Sequence, residues 1–292
     1  MNLTLKTKTF NFLRQIFKIP LFEKILALLT NNKPHKSFFV KFIPNNYQYS
    51  KNTLRYCKRN GINYKLNLYD YIDWLIYFGI KEDSRLKLYR LVSKNDTIID
   101  VGSNMGETIM NFSKIAGEKG EVHGFEPDRI NYQRCVENLN LNNFSNIYLN
   151  NVGLGNIARE FKIKVDTPSN RGGNRITSDT NDPNTEIINI ITLDDYIRNK
   201  GIKKINLIKI DVEGFELNVL KGAEESLKQF KPNLFIELDD NNLKLQGDSA
   251  RDLISFLLAL NYKVENADTN EMIDTFLNFN NCHYDIICHP KN

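Results

Sequence analysis

The stretch Thr97 to Ile109, Thr-Ile-Ile-Asp-Val-Gly-Ser-Asn-Met-Gly-Glu-Thr-Ile, limits what this chain can fold into more than any other part of it. It opens as a short apolar strand, turns on Gly102 and Gly106, and runs directly into a helical segment. A strand, a glycine turn and a helix N-terminus give a backbone edge that a ligand can approach closely, with free N–H groups facing it. About twenty residues later a second strand, Val122 to Phe125, ends in Glu126-Pro127, and an acid at that tip suits the two hydroxyls of a ribose. The pair of strands predicts a site for a nucleoside-containing cofactor.

The choice of cofactor follows from what the turn lacks. A dinucleotide fingerprint needs Gly-x-Gly-x-x-Gly, and here Asn104 stands where its second glycine belongs. No Gly-Lys-Ser/Thr follows, which excludes a P-loop. Asp100, two residues before Gly102, brings a carboxylate to the end of the first strand, where a diphosphate is poorly tolerated. S-adenosylmethionine has no phosphate and carries an ammonium, a sulfonium and a ribose. Acids at Asp100 and Glu126 fit it better than NAD.

The body of the chain alternates strands and helices, which predicts an α/β fold: a doubly wound, mostly parallel, Rossmann-like sheet covered on both faces. After Glu126 comes a helix with Tyr132, Cys135, Val136 and Leu139 on one face, so Cys135 is expected to be a buried hydrophobe and not a nucleophile. A third strand, Asn146 to Val152, places Asn151 as a candidate contact for the adenine. Residues 156–191 break the rhythm. Phe161, Ile163 and Val165 alternate, Ile187 to Ile191 is β-branched, and a Gly-, Asn- and Arg-rich tip between them holds Arg171 and Arg175. This segment is expected to be a β-excursion and substrate loop, its arginines either meeting an acidic or glycan substrate or simply solvated. A fourth strand delivers Lys209 and Asp211 to its end, and Glu213-Gly214 turns into the next helix. A fifth strand, Pro232 to Asp239, carries Glu237. Ligands in such sheets bind beyond the carboxyl ends of the strands, where Asp100, Glu126, Asp211, Glu213 and Glu237 all fall.

Taken together, Ile99-Asp-Val-Gly-Ser-Asn-Met-Gly-Glu-Thr, Gly124-Phe-Glu-Pro, Thr192-Leu-Asp-Asp, Lys209-Ile-Asp-Val-Glu-Gly-Phe-Glu and Pro232-x4-Glu237 resemble the FkbM-type methyltransferases, over roughly residues 61 to 240. The resemblance implies a class I S-adenosylmethionine-dependent fold with a seven-stranded sheet whose last strand is antiparallel. It also implies methylation of a hydroxyl, often on a sugar, polysaccharide or polyketide. By motif, Asp100, Gly102, Asn104, Gly106 and Glu126 would bind the cofactor, with Ser103 and Pro127 beside them; Ser103 is a small departure, since many relatives have alanine there. A sulfonium methyl is already activated, so such an enzyme needs chiefly to hold an oxygen in line and help its proton leave. Asp211 and Glu237 are the candidate bases. Glu213 is a third, or joins Asp211 in holding a divalent cation such as Mg that acidifies the hydroxyl. Lys209 is expected to pair with these acids as scaffolding.

The front of the chain is different in kind. Residues 1–60 carry twelve Lys and Arg and a single acid, Glu23, a balance of +11 that leaves −7 on residues 61–292 of a chain with net charge +4. A basic, partly helical extension of this kind precedes an expected methyltransferase domain over 61–292. Phe10, Leu13, Phe17 and Leu21 are spaced for one helical face opposite Arg14, Lys18 and Lys24, with Pro20 kinking or dividing the helix. The segment either packs on the domain with its basic side solvated or lies on an anionic membrane face; nucleic acid is disfavoured because no accompanying signature is present. Residues Ile62, Tyr64, Leu66 and Leu68 alternate as a strand, and Tyr71, Trp74, Leu75 and Phe78 form a helix face expected in the core. Cys57, Cys135, Cys282 and Cys288 lack C-x-x-C pairing, and with no spanning segment or signal peptide this predicts a cytoplasmic setting, peripheral to the membrane at most. Cys282-His283 and Cys288-His289 lack a zinc-ligand spacing and are expected on a core strand. Two other functions compete: an NAD-dependent sugar oxidoreductase or epimerase, disfavoured by Asn104 and by the lack of a Tyr-x-x-x-Lys pair, and an inactive nucleoside-binding module that docks on membranes.

Overall fold

The computed structural model describes residues 10–12, 14–165, 171–177 and 184–291. They belong to two compact units, residues 1–83 with 167–172, and residues 84–166 with 173–292. The division falls after Asp83 and not after residue 60, so the strand and helix that the sequence assigned to the main domain cluster with the N-terminal residues.

In the first unit a 3-10 turn, Gln15–Lys18, precedes helix α1, Pro20–Leu29. Pro20 occupies the first helical turn, where its missing N–H costs nothing, and so it divides the predicted helix in two. Strands β1 (Leu54–Arg59) and β2 (Ile62–Asn67) form an antiparallel hairpin. Its two-residue turn is Asn60-Gly61, both at positive φ, the pairing that a tight hairpin demands. Ile62, Tyr64, Leu66 and Leu68 all point inward. Helix α2, Tyr71–Phe78, is capped by the Asp70 side chain, which accepts the N–H groups of Ile72 and Asp73, and it ends at Gly79 with φ 62°. Trp74, Leu75 and Phe78 are buried, and the Trp74 indole donates to the Pro44 carbonyl at 2.8 Å. Tyr71 lies outside that core, stacked on Trp74.

The second unit opens with α3 (Asp83–Arg90) and then alternates: β3 (Thr97–Val101), α4 (Glu107–Ala116), β4 (Glu121–Phe125), α5 (Arg129–Leu139) and β5 (Ile147–Asn150). After the excursion come α6 (Leu193–Lys200), β10 (Leu207–Ile210), α7 (Glu216–Lys221), α8 (Glu224–Phe230), β11 (Asn233–Asp239), α9 (Asp240–Leu245), α10 (Ala250–Ala259), β12 (Tyr262–Asn266) and β13 (His283–Pro290). The main sheet has the order β12-β13-β11-β10-β3-β4-β5. β13 pairs antiparallel with both its neighbours, and every other pairing in this sheet is parallel. The central strands β3 and β10 are buried along their whole length, as strands covered on both faces must be. The strand order reverses between β3 and β10, the crevice where such sheets hold ligands.

The excursion builds its own four-stranded sheet from β6 (Gly153–Leu154), β7 (Arg159–Lys164), β8 (Arg175–Thr177) and β9 (Thr185–Ile191), in the order β8-β7-β9-β6. Ile163, Ile188, Ile190 and Phe215 form a small core beneath it. The tip around residues 166–170 lies outside the described residues, as does the Arg171 side chain. Cys135 and Cys288 are buried in α5 and β13; His283 meets Asp239 and His289 meets Asn233.

Candidate functional site

The turn after β3 is tied to the tip of β4 by its own backbone. The N–H groups of Gly102 and Ser103 both donate to the Phe125 carbonyl at 3.0 Å, and the Asn104 N–H donates to Glu126 Oε2 at 2.8 Å. These amides are therefore not free to face a ligand, contrary to the expectation from the sequence. The turn presents no nest of N–H groups to a diphosphate, and a carboxylate already occupies the position an anion would take. That arrangement argues against a dinucleotide from geometry, as Asn104 did from sequence.

The glycines are required where backbones meet. Gly102 has φ 80°, and a Cβ there would lie 2.0 Å from the Asp211 carbonyl oxygen. Gly106 has φ 94°, and its Cβ would come within 2.6 Å of Cys135 Sγ, which gives that buried cysteine a packing role. Ser103 is buried, with its hydroxyl donating to the Asp100 carbonyl at 3.1 Å. Asn104 adopts a left-handed φ of 48°, and its Oδ1 is buried without a hydrogen-bond partner.

Glu126 is buried, and its second oxygen accepts the Asp128 N–H at 2.9 Å. Burial pushes its carboxyl up to about 7, against the two N–H donors that favour the anion. Pro127 packs near Gly153. Asn151, expected to touch a base, instead donates to the carbonyls of Glu126 and Pro127 at 2.8 and 3.2 Å, clamping the loop that carries the acid.

Asp100 also departs from expectation. Its carboxylate is fully buried, accepting the Thr108 hydroxyl at 2.6 Å with Lys209 Nζ 3.6 Å away, so it braces the turn and does not open onto the crevice. Lys209 is paired side by side with Asp100 across β3 and β10. Its ammonium donates to the Gly102 carbonyl at 2.9 Å and lies 3.3 Å from Asp211. Burial alone would lower its pKa, but Asp211 and Asp100 raise it above the ordinary value.

Beyond the end of β10 three acids converge. Carboxylate oxygens of Asp211, Glu213 and Glu237 all lie within 4.8 Å of one another. Asp211 is held by its N–H to the Val101 carbonyl and keeps its side chain about half exposed. Glu213 has φ 53°, costly for a side chain of this size, and is fixed by the Asn242 amide at 2.8 Å. Gly214 packs so close to Asn242 that a Cβ would meet its carbonyl at 2.4 Å. Burial and then Asp211 push Glu213 up to about 8, and push Glu237 up to about 10. Glu237 Oε2 is buried with no partner, although Asp285 lies opposite on β13. Glu216, unassigned in the sequence reading although its motif was seen, accepts the Val212 and Gly214 N–H groups and so shapes the turn that brings Glu213 into the cluster.

A groove of about 660 Å³ adjoins this turn, its lining including Asn156, Arg159, Phe161, Phe215, Asn218 and Gln246. Phe161 and Phe215 meet edge to face, Arg159 lies over Phe161, and Gln246 ties α9 to the Ile176 carbonyl of β8. Phe215 is two residues from Glu213, so their Cα atoms are within about 7 Å.

A seven-stranded sheet of this order, with a single antiparallel strand and an acid-tipped glycine turn at its switch point, defines a class I methyltransferase fold. The methyltransferase FkbM domain profile matches residues 100–264, and the chain belongs to that family. The chain is 28% identical over 135 residues to the hexuronic acid methyltransferase AglP of Haloferax volcanii, covering 46% of this chain and 53% of that protein. It is 28% identical over 185 residues to the 2-O-methyltransferase NoeI of Sinorhizobium fredii, covering 56% and 73%. A crystal structure of an FkbM methyltransferase from Methylobacillus flagellatus superposes with a TM-score of 0.43 at 18% identity, covering 76% of this chain and 53% of that one. The matched region thus spans about half the length of AglP and of the Methylobacillus chain.

Proposed function

We propose that this protein is an S-adenosylmethionine-dependent O-methyltransferase that acts on a hydroxyl of a sugar, polysaccharide or glycolipid. The observation that carries the proposal is the convergence of Asp211, Glu213 and Glu237 beside the glycine turn of β3. It gathers proton acceptors next to the turn that this reading assigns to the cofactor. The bound cofactor would supply an electrophilic methyl on sulfur.

The chain's own residues supply the rest. Glu126 has the acid chemistry for ribose hydroxyls, and the buried, unpartnered Asn104 Oδ1 suits the cofactor's ammonium. Gly102, Ser103 and Gly106 shape the turn, while Asp100, Pro127 and Asn151 hold it. Asp211, the most open of the three acids, takes the proton of the acceptor hydroxyl. Glu213 or Glu237 serves as the alternative base; the Glu213 carboxyl, raised to about 8, exchanges a proton near neutral pH, whereas Glu237, raised to about 10, must first give up the proton it holds there. The groove beside Glu213 supports a sugar acceptor, because aromatic faces with amide and guanidinium groups match the apolar faces and hydroxyls of a pyranose. AglP, a hexuronic acid methyltransferase, and NoeI, a 2-O-methyltransferase, support the same reading.

The three carboxylates also fit a hard divalent cation such as Mg, since all are oxygen donors and Glu237 Oε2 has no partner. Bound there, the ion would acidify the hydroxyl. A cytoplasmic enzyme peripheral to an anionic membrane through residues 1–60 completes the proposal; no helix among the described residues is long and apolar enough to cross a membrane.

Calorimetric titration with S-adenosylhomocysteine, with magnesium and with a chelator, tests the cofactor and the ion. Labelled methyl transfer to uronic-acid and neutral oligosaccharides tests the reaction, and Asp211→Asn should reduce kcat with little change in S-adenosylhomocysteine affinity. Absence of S-adenosylhomocysteine binding under every condition would refute the proposal.

A further inference from the structure

Helix α1 buries an acid and leaves most of its large apolar side chains exposed. Along Pro20–Leu29 the residue turned inward at the centre is an acid: Glu23 is 0% exposed, while Leu21 and Leu28 are 65% and 72% exposed. Phe22, Ile25 and Leu29 lie in the open as well. Leu21, Ile25 and Leu28 fall at i, i+4 and i+7, so they share one outward stripe.

The inward acid is held in place. Arg55 from β1 grips Glu23 with two nitrogens, at 2.7 and 3.3 Å, and the Tyr77 hydroxyl donates to it at 3.1 Å. The buried ion pair fixes which side of α1 faces the unit, and Leu26 and Ala27 pack on that same side. Breaking such a pair leaves an uncompensated buried charge, so the helix cannot roll to hide its leucines.

Further large apolar side chains are exposed in the segments that flank α1. Phe12 and Ile16 before it and Phe38 and Phe39 after it are exposed, Phe38 by 66%. Exposed lysines are interspersed with them along the chain: Lys24 on α1 itself, then Lys33, Lys36 and Lys41. Glu23, the single acid of residues 1–60, is buried and does not offset these lysines.

We infer that the outer face of α1, with the Phe38-Phe39 segment, is a docking surface for an anionic lipid bilayer, lying in the headgroup interface without crossing it. Large apolar side chains interspersed with lysines are the chemistry that partitions into an interface of apolar tails beneath negative headgroups. A second copy of the chain is the poorer occupant, since a two-fold contact would set these lysines against themselves. The inference rests on the membrane-peripheral part of the proposed function, which it narrows to one face, and is independent of the methyl-transfer chemistry.

The test is vesicle flotation of the full chain with phosphatidylcholine alone and with phosphatidylcholine containing phosphatidylglycerol. Expected is binding at least tenfold tighter to the anionic vesicles, released by added salt. Leu21→Asp with Leu28→Asp, both on exposed positions, should weaken it by about a hundredfold. Lys24→Glu with Lys36→Glu should remove the preference for anionic vesicles. Fluorescence of Trp74, in the same unit as α1, reports that the fold of the variants is intact, and S-adenosylhomocysteine titration read separately keeps this result apart from the fate of the proposed function. Absence of binding to either vesicle, or equal binding by the leucine variant, overturns the inference. So does a concentration-dependent dimer that the leucine substitutions abolish.

Discussion

Replacing Glu237 by glutamine should stabilise the protein while lowering its turnover, and the stabilisation should grow with pH. Burial, followed by the charges of Asp211 and Glu213, raises this carboxyl from an ordinary 4.5 to about 10 in the folded protein. Between those values the folded state holds a proton that the unfolded chain releases. Stability from this group is therefore fully present below about pH 4.5 and is lost as pH rises toward 10. An independent group would change stability by about 1.4 kcal/mol per pH unit, or about 2.7 kcal/mol between pH 5.5 and 7.5. Asp211 and Glu213 share the repulsion, so the variant should gain about 1–2 kcal/mol over the parent across that interval. Urea unfolding at both pH values, followed by far-UV circular dichroism, measures the difference. Fluorescence would mislead, because the single tryptophan, Trp74, lies in the other unit. A variant less stable than the parent at pH 7.5, or a gain independent of pH, would refute the reasoning.

The remaining expectations concern the same crevice. Lys209→Met removes the cation between Asp100 and Asp211 and should destabilise the fold by about 3–5 kcal/mol, read from the urea midpoint; a loss below about 1 kcal/mol would make Lys209 a bystander. Glu126→Ala should weaken S-adenosylhomocysteine binding at least tenfold, since it removes both the proposed ribose contact and the acceptor for the Asn104 N–H; calorimetry measures it. If magnesium binds the acid cluster, it must displace the protons of Glu237 and, in large part, Glu213 at about pH 7.5. Titrations in buffers of different ionisation enthalpy should then report between one and two protons released per ion, and binding without release would place the ion elsewhere.

Local chemistry explains why much of this was readable from the sequence. The strand, glycine turn and helix at Thr97 to Ile109, the acid tips of the strands, and the excursion after β5 each follow from period, glycine and β-branching over a few adjacent residues. What escaped depends on partners distant in sequence. The amides of Gly102, Ser103 and Asn104 appear free in a one-dimensional reading, because nothing near them announces that Phe125 and Glu126 will accept all three. Asn151 carries the right chemistry for a base contact, yet its amide is spent on the neighbouring loop. Asp100 sits at the expected strand end, but register with Lys209 turns it into a buried brace. The same holds for α1. Periodicity tells which residues share a face and is silent on which face points inward; only the pull of Arg55 and Tyr77 on Glu23 decides it.

The backbone joins the two halves of the proposed site more firmly than any side chain does. A Cβ at Gly102 would collide with the Asp211 carbonyl, and the Asp211 N–H donates to Val101, so the turn of β3 and the tip of β10 are packed main chain against main chain. Lys209 then spans the same seam, bonding the Gly102 carbonyl on one side and facing Asp211 on the other. Three repelling carboxylates would otherwise drive the strand ends apart or take up protons. Here they are held together, with Glu213 kept at an unfavourable φ by Gly214, Asn242 and Glu216. Holding acids at raised pKa costs stability, and a fold bears such a cost where proton transfer or a cation benefits from it. The glycine turn and the acid cluster therefore form one closely packed piece, which is the arrangement the proposed in-line methyl transfer needs when a few tenths of an ångström separate a reactive pose from an idle one.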